Sequence, residues 1–261
     1  MSQWTPFPYI GDYPYDAARV TKNWAKLHAG DAEPLPTQAQ LLEAWALFHS
    51  GEFQKAVELG LTLGNAGITV ANKATCIYAN YLEAKESTKL ALFMEVALRA
   101  EKQAKDASIA AESLPNAYYW QAYALGRYSQ GISVAKALAQ GLGSKVKNSL
   151  EKTIELQPKH ADAHIALGTF HAEVIDKVGS LIGSMTYGAK KEASFHFFQE
   201  ALRLNTNSAI AMIEQANGWV MLEGEKLLAE ATKLYEVASA TQPLDAMERL
   251  DVDMAKAELT H

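Results

Sequence analysis

The sequence is poor in cysteine and carries no excess of basic charge. Cys76 is the single cysteine, so the chain cannot form an intrachain disulfide, and a reducing compartment is the simpler expectation. The formal net charge is −6, whereas binding to a nucleic-acid backbone needs a basic surface. We therefore expect no nucleic-acid partner.

Long apolar runs and a targeting signal are also lacking. The longest uncharged stretches have about 14 residues, fewer than the roughly 18–20 that a membrane-spanning helix needs. Residues 1–16 contain neither the basic region nor the apolar core of a secretory signal. These absences predict a cytoplasmic protein that does not cross a membrane.

Prolines are few after the first 36 residues, and runs of alternating β-branched residues are missing. Only Pro115, Pro158 and Pro243 follow residue 36. Because proline breaks helices and the abundant alanine favours them, most of the chain is free to be helical. Strands would need an apolar alternation of period two, which we do not find. The predicted fold class is all-α.

Residues 1–36 differ in composition from residues 37–261, and we predict an N-terminal arm ahead of a helical domain. In the arm, aromatic residues alternate with prolines: Trp4, Phe7, Tyr9, Tyr13 and Tyr15 with Pro6, Pro8 and Pro14. Proline fixes φ and removes amide donors, so the arm should be extended, with a short helix from Tyr15 to about Ala29. Two placements stay open: the arm packs across its own helices, or a homodimer exchanges it between subunits.

Helix signals follow the arm. Thr37 is a predicted N-cap for a helix over residues 38–50, and Gly51 separates this helix from the next, which ends near residues 64–67. Further helices are expected at residues 69–85 and 87–112. A last helix, over residues 244–261, has the charged outer side of a capping helix.

A spacing of small and large residues recurs along the second half of the chain. The phrase Ala231, Tyr235, Ala238, Pro243 is spaced i, i+4, i+7, i+12, and the same frame holds Ser194, Phe198, Ala201, Thr206 and Val146, Leu150, Thr153, Pro158. This pattern is typical of the second helix of a tetratricopeptide-type repeat. Such hairpins bury their apolar faces by stacking, and we expect a solenoid of about five of them.

The first helices of three hairpins carry a small residue where two helices should approach closely. These positions are Gly126, Gly168 and Ala216. The first two hairpins are longer than a standard repeat by roughly 8 and 14 residues, which indicates an insertion in each.

The stretch from Ser149 to Gly168 resembles a repeat junction of the tetratricopeptide family. The two enlarged hairpins, with Gly131–Lys136 in one and an apolar insertion before Phe195–Leu202 in the other, resemble the regulator of microtubule dynamics family. They are also similar to the T component of tripartite periplasmic transporters. The resemblance covers about residues 116–243. It implies a non-catalytic adaptor, or a helper protein with an apolar cavity.

The repeat frame predicts an apolar concave groove for a protein or peptide partner. Its expected lining is Ile165, Thr169, Ala172, Ile213, Asn217 and Val220. Some members of the resembled family hold a peptide carboxylate with paired lysine and asparagine. Here Asn217 matches, but Ile213 stands at the lysine position, so we expect an apolar or amphipathic segment rather than an acidic tail.

The two insertions are apolar and rich in small residues. They occur at equivalent places in successive hairpins, so they could frame a pocket for a hydrophobic small molecule. The expected lining is Val134, Leu138, Leu142, Val178, Leu181, Ile182 and Met185. The alternative is that both insertions are longer helices that extend the core.

No arrangement of residues indicates a reaction or a cofactor. His164 and His171 share a helix face and could suit a metal, but they fall at positions where large side chains pack inside a hairpin, and Asp162 looks like an N-cap. Gly141–Lys145 lacks the spacing of a phosphate loop. We expect no enzyme, no cofactor and no metal.

Overall fold

The structure is a computed structural model that describes residues 3–260. Within them every regular element is helical, and no strand occurs. The α-helices are α1 (Ala17–Leu27), α2 (Ala39–His49), α3 (Phe53–Thr62), α4 (Ile68–Tyr81), α5 (Glu86–Lys105), α6 (Leu114–Gln130), α7 (Val134–Ala139), α8 (Leu142–Leu156), α9 (Ala161–Val178), α10 (Ser180–Tyr187), α11 (Lys191–Leu204), α12 (Ala209–Glu223), α13 (Leu228–Ala240) and α14 (Ala246–Glu258). The predicted all-α class is confirmed.

The chain divides into two compact units. The first consists of residues up to His28, Glu33–Leu156 and Leu244–Met247; the second consists of Ala29–Ala32, Gln157–Pro243 and the residues from Glu248 onward. The arm belongs to the first unit except for Ala29–Ala32, and the division near Leu156 falls inside the region that the sequence assigns to a single domain.

In the first unit, helices pack in chain order. Each of α1 to α5 packs against the next helix, α6 packs against α8, and α7 lies on α8. In addition, α4 contacts both α2 and α6. Helix α4 is accordingly buried along most of its length. It has little amphipathic character because neighbours cover it on several sides.

In the second unit, α9 packs against α10, α11 and α12, and α12 packs against α13. Residues of α14 complete the core beside α12 and α13: Val252 and Ala255 join Met212, Ile213 and Ala238 in one apolar cluster. The predicted last helix is therefore confirmed as an element, although it begins at Ala246 rather than at residue 244.

The recurrent phrase marks buried positions. Val146, Leu150 and Thr153 of α8 are buried, as are Ser194, Phe198 and Ala201 of α11. On α13, Ala231 and Ala238 are buried and Tyr235 is half-buried. The spacing thus identifies the inward face of all three helices.

Close helix approach occurs at one of the two predicted glycines. A Cβ built on Gly168 would lie 2.8 Å from the ring of Phe198, whereas one on Gly126 would meet nothing within 4 Å. The prediction for Gly126 is wrong, because its side of α6 faces open space. Gly218 of α12 also touches the Phe198 ring, at 2.5 Å from the built Cβ.

Two predicted N-caps are wrong. Helix α2 begins at Ala39, so Gln38 rather than Thr37 holds the cap position, without a side-chain hydrogen bond. At α9, the amide of Ala163 donates to Nδ1 of His160 at 3.1 Å. Asp162 lies in the first turn of α9 instead, where a carboxylate interacts favourably with the positive end of the helix dipole.

A membrane-crossing helix is not found between residues 3 and 260, since none there is both long and apolar enough.

Candidate functional site

The N-terminal arm lies across helices of its own chain. The amide of Trp4 donates to Oε1 of Gln54 at 2.9 Å, and the Trp4 ring stacks on Tyr78 with 4.0 Å between centroids. Phe7 is buried against the edge of Phe53. Of the two placements left open by the sequence, the structure has the one within the chain.

Tyr15 fixes the end of the extended part of the arm, just before α1, through three contacts. Its amide donates to Oγ of Ser50 at 3.1 Å, and its hydroxyl donates to the carbonyl oxygen of Leu244 at 2.8 Å. Its ring lies 5.6 Å from that of His49. Between Phe7 and Tyr15 the chain makes a turn, and open space lies between this turn and α2.

The space between this turn and α2 is an open cleft of about 670 Å³. Its walls come from both elements and lie within the first unit. They are Ile10, Gly11, Tyr13, Pro14, Tyr15, Asp16 and Ala17 on the arm side, and Ala39, Gln40, Glu43, Ala46, Leu47, Ser50 and Glu52 on the helix side. We refer to it as the arm cleft.

Apolar and aromatic groups dominate the arm cleft, and among residues 3–260 the ionisable side chains that line it, apart from the tyrosines, are acidic. These are Asp16, Glu43 and Glu52. Oδ1 of Asp16 accepts from the amide of Arg19 at 2.7 Å, which caps α1. Such a surface can hold an apolar group and accept hydrogen bonds from a donor or a cation.

A buried polar chain lies beside the cleft behind Tyr15. Nδ1 of His49 is 2.6 Å from Oδ2 of Asp245, and Nε2 of His49 is 3.3 Å from Nε2 of His28. All three side chains are buried, and Trp24 stacks on the His28 ring at 4.0 Å. Solvent does not reach these three side chains. Their contacts therefore have a structural role: they hold α1, α2 and the segment Leu244–Met247 together.

The predicted groove residues lie in the second unit, and most of them point inward. Ile165, Ala172 and Ile213 are buried, Thr169 and Asn217 are half-buried, and only Val220 is exposed, at 37%. Positions assigned to a concave surface are therefore largely occupied by neighbouring side chains.

Polar contacts surround the two half-buried groove residues. The Thr169 hydroxyl donates to Oε2 of Glu214 at 3.1 Å, and the Tyr235 hydroxyl donates to Oδ1 of Asn217. Burial, and then the nearby carboxylates of Glu258 and Glu214, raise the pKa of Tyr235 to about 12, which keeps its phenol a donor. This part of the second unit is more polar than the repeat frame predicts.

The predicted apolar pocket draws on residues of different units. Val134 and Leu138 of α7 are exposed, and so are Leu181, Ile182 and Met185 of α10. Val178, at the end of α9, is half-buried. The apolar side chains of the insertions are thus mostly exposed on two short helices, α7 and α10, and are not buried in a core.

Leu142 is the exception among the predicted pocket residues, since it is buried at the start of α8 and lines a second cleft. That cleft, of about 360 Å³, also lies in the first unit, where Met94 and Leu98 of α5 and Leu125 of α6 share its wall.

The histidines of α9 have structural partners. The His171 ring stacks on Phe197 at 5.7 Å with 6° between the planes, and its Nδ1 accepts from the amide of Lys190. Nε2 of His164 lies 3.1 Å from the carbonyl oxygen of Pro158, and burial lowers the pKa of this imidazole. Nowhere in the described part of the chain do three or more His, Cys, Asp or Glu side chains form a group that could hold a metal ion.

No protein-family model matches the sequence, and no curated protein matches it significantly.

Sequence reasoning missed the arm cleft. The density of aromatics and prolines indicates that the arm packs, but not that its middle stands away from α2. The available signal was Glu43, an acidic residue one turn before Leu47 on a helix whose other side is rich in aromatic residues.

Proposed function

We propose that this chain is a non-catalytic adaptor of the tetratricopeptide type, which works in the cytoplasm and holds a segment of a partner protein. The observation that carries the proposal is the arm cleft: open, lined by both apolar and polar groups, and built on a rigid helix. A cleft with these properties is the usual form of a binding site. Helices that pack in chain order, and a repeat phrase on their buried faces, support the repeat architecture.

The arm cleft replaces the predicted groove as the binding site in this proposal. Side chains buried in the core, such as Ile213, cannot contact a partner without unfolding the unit. Leu47 and Glu43, in contrast, line open space and stand on α2, whose inner face is fixed by Trp45 and Phe48. A partner segment could enter without any rearrangement of the helices.

Capture of partners by variants of the two sites tests this function. We expect Leu47→Gln to abolish capture of a partner from an extract of the native host, because it removes apolar contact area inside the arm cleft. The matched variant Val220→Gln, at the exposed predicted groove position, should retain the partner. Mass spectrometry identifies the captured proteins, and circular dichroism checks that both variants keep their helices. Equal capture by wild type and Leu47→Gln would exclude the arm cleft as the site.

A second candidate function is the carriage of a hydrophobic small molecule, and the cleft around Leu142 favours it. Met94, Leu98 and Leu125 provide the apolar wall that such a ligand needs. Native mass spectrometry of the purified protein should then show a bound ligand that Leu98→Gln, at an exposed position, releases. A mass equal to that of the chain alone in wild type contradicts the carrier function.

A further inference from the structure

The arm cleft has a charge asymmetry that the proposed function does not use. Fourteen of the residues that the structure describes line it, and Asp16, Glu43 and Glu52 are among these, whereas no described lysine, arginine or histidine is. An occupant with acidic side chains would be repelled there, and a neutral one would leave the carboxylates without new partners.

The two cations nearest in sequence to these carboxylates are already engaged. Nη1 of Arg19 donates to the carbonyl oxygen of Pro14 at 2.8 Å, and its guanidinium lies 4.6 Å from the centroid of the Tyr15 ring. Nζ of Lys55 lies 3.0 Å from Oε2 of Glu52. Both cations reduce the local negative charge without filling the cleft.

Glu43 is the carboxylate left for a partner. Its side chain is exposed on α2 and forms no ion pair or hydrogen bond with any other residue that the structure describes. Leu47 follows it by one turn on the same helix face, and both line the cleft. An apolar contact and a carboxylate are thus presented side by side.

Aromatic and proline residues form the opposite wall. Tyr13, Pro14 and Tyr15 lie there, and Ile10 is 48% exposed at the rim. Aromatic faces attract both aliphatic side chains and cations, so this wall suits a residue that combines an aliphatic stem with a positive head.

We propose that the arm cleft holds a basic amphipathic segment of the partner, with an aliphatic side chain between Leu47 and the tyrosine wall and a lysine or arginine beside Glu43. This inference rests on the proposed function and specifies the chemistry of the partner. The carboxylate of Glu43 accepts the charged hydrogen bond, while Asp16 and Glu52 add attraction at longer range.

Fluorescence polarisation with three labelled nonapeptides tests the proposal. The peptides repeat Leu-Ser-Lys, Leu-Ser-Gln or Leu-Ser-Glu, so that they share length and apolar content and differ only in charge. We expect the lysine peptide to bind about tenfold more tightly than the glutamine peptide, with this advantage lost in high salt, and the glutamate peptide not to bind.

Substitutions of Glu43 and Leu47 test whether the peptides bind in the arm cleft. Glu43→Gln should weaken the lysine peptide about two- to fivefold and leave the glutamine peptide unchanged, as expected for one partly exposed ion pair. The matched control is Glu155→Gln on α8, an exposed glutamate outside the cleft, which should change neither affinity. Leu47→Gln should weaken both peptides.

Three other outcomes would overturn the inference, and each would identify a different error in it. Equal binding of the lysine and glutamine peptides, lost in Leu47→Gln, leaves the cleft as the site and removes its charge selectivity. Lysine-peptide binding that Glu43→Gln and Glu155→Gln weaken alike indicates attraction to the acidic surface as a whole. If none of the peptides binds at millimolar concentration, the basic segment is excluded, and the capture experiment alone then decides the adaptor function.

Discussion

At the scale of single residues, Gly51 determines how the arm lies on the helices. Its φ is +84°, a conformation that side chains with a Cβ rarely adopt, and a built Cβ would lie 2.4 Å from the ring of Phe7. Glycine is therefore needed at this position for two reasons: it allows the turn before α3, and it leaves room for the ring of Phe7. Phe7, in turn, anchors the start of the segment that forms one wall of the arm cleft.

Gly51→Ala should lower the free energy of unfolding by about 2–4 kcal/mol, because it adds backbone strain to a clash with Phe7. Urea unfolding measures the change. The control is Gly64→Ala, whose φ is also positive, at +60°, but whose Cβ meets nothing within 4 Å, so it should cost only about 1 kcal/mol. Equal losses in the two variants would show that Phe7 does not press on Gly51.

At the scale of elements, α9, α11 and α12 meet around one ring. Phe198 of α11 is fully buried, and Gly168 and Gly218 contact it from two different helices. Absence of a Cβ at both positions lets three helix axes approach closely. This arrangement explains how the core of the second unit accommodates the large ring of Phe198 between the three helices.

Gly218→Ala should destabilise the protein by about 1–3 kcal/mol despite the better helix propensity of alanine, because the added methyl overpacks against Phe198. Gly126→Ala offers a matched control within a helix. Its Cβ meets nothing within 4 Å, and the substitution should stabilise by about 0.5–1 kcal/mol. Opposite signs in thermal or urea unfolding are expected; a stabilising Gly218→Ala contradicts the packing described.

Elements with a strong helical pattern could be predicted from the sequence, and their ends could not. The helix expected at residues 87–112 ends at Lys105, since Asp106 takes an extended conformation and bonds the amide of Ser108. The inward faces of α8, α11 and α13 followed from spacing alone. The candidate site did not, because its cleft depends on where Tyr15 is held by Ser50 and Leu244, two contacts with no local signal.

At the scale of the whole molecule, each unit contains a short segment that is distant in sequence from the rest. Leu244–Met247 belongs to the unit formed otherwise by residues before 157. Its Asp245 is buried together with His49 of α2 at 2.6 Å. Stability of the first unit therefore depends on residues close to the C-terminal end of the sequence.

Asp245→Asn should lower the free energy of unfolding by about 1.5–3 kcal/mol, since it removes the charged acceptor of a buried hydrogen bond. Asp12→Asn, at an exposed position in the same unit, should be neutral within about 0.5 kcal/mol. Urea unfolding followed by intrinsic tryptophan fluorescence, to which Trp45 beside His49 contributes, measures the change. An unchanged midpoint in Asp245→Asn would mean that the contact contributes nothing.

The arm side of the cleft is made by the irregular segment ahead of α1 and by the first residue of that helix, and the segment is held in place at Trp4, Phe7 and Tyr15. A protease that cut the chain ahead of Ala17 would remove this segment, together with the buried Phe7 and the cap that Asp16 gives to α1. A single cut would then end recognition at the arm cleft permanently, and the first unit would lose part of its packing with it.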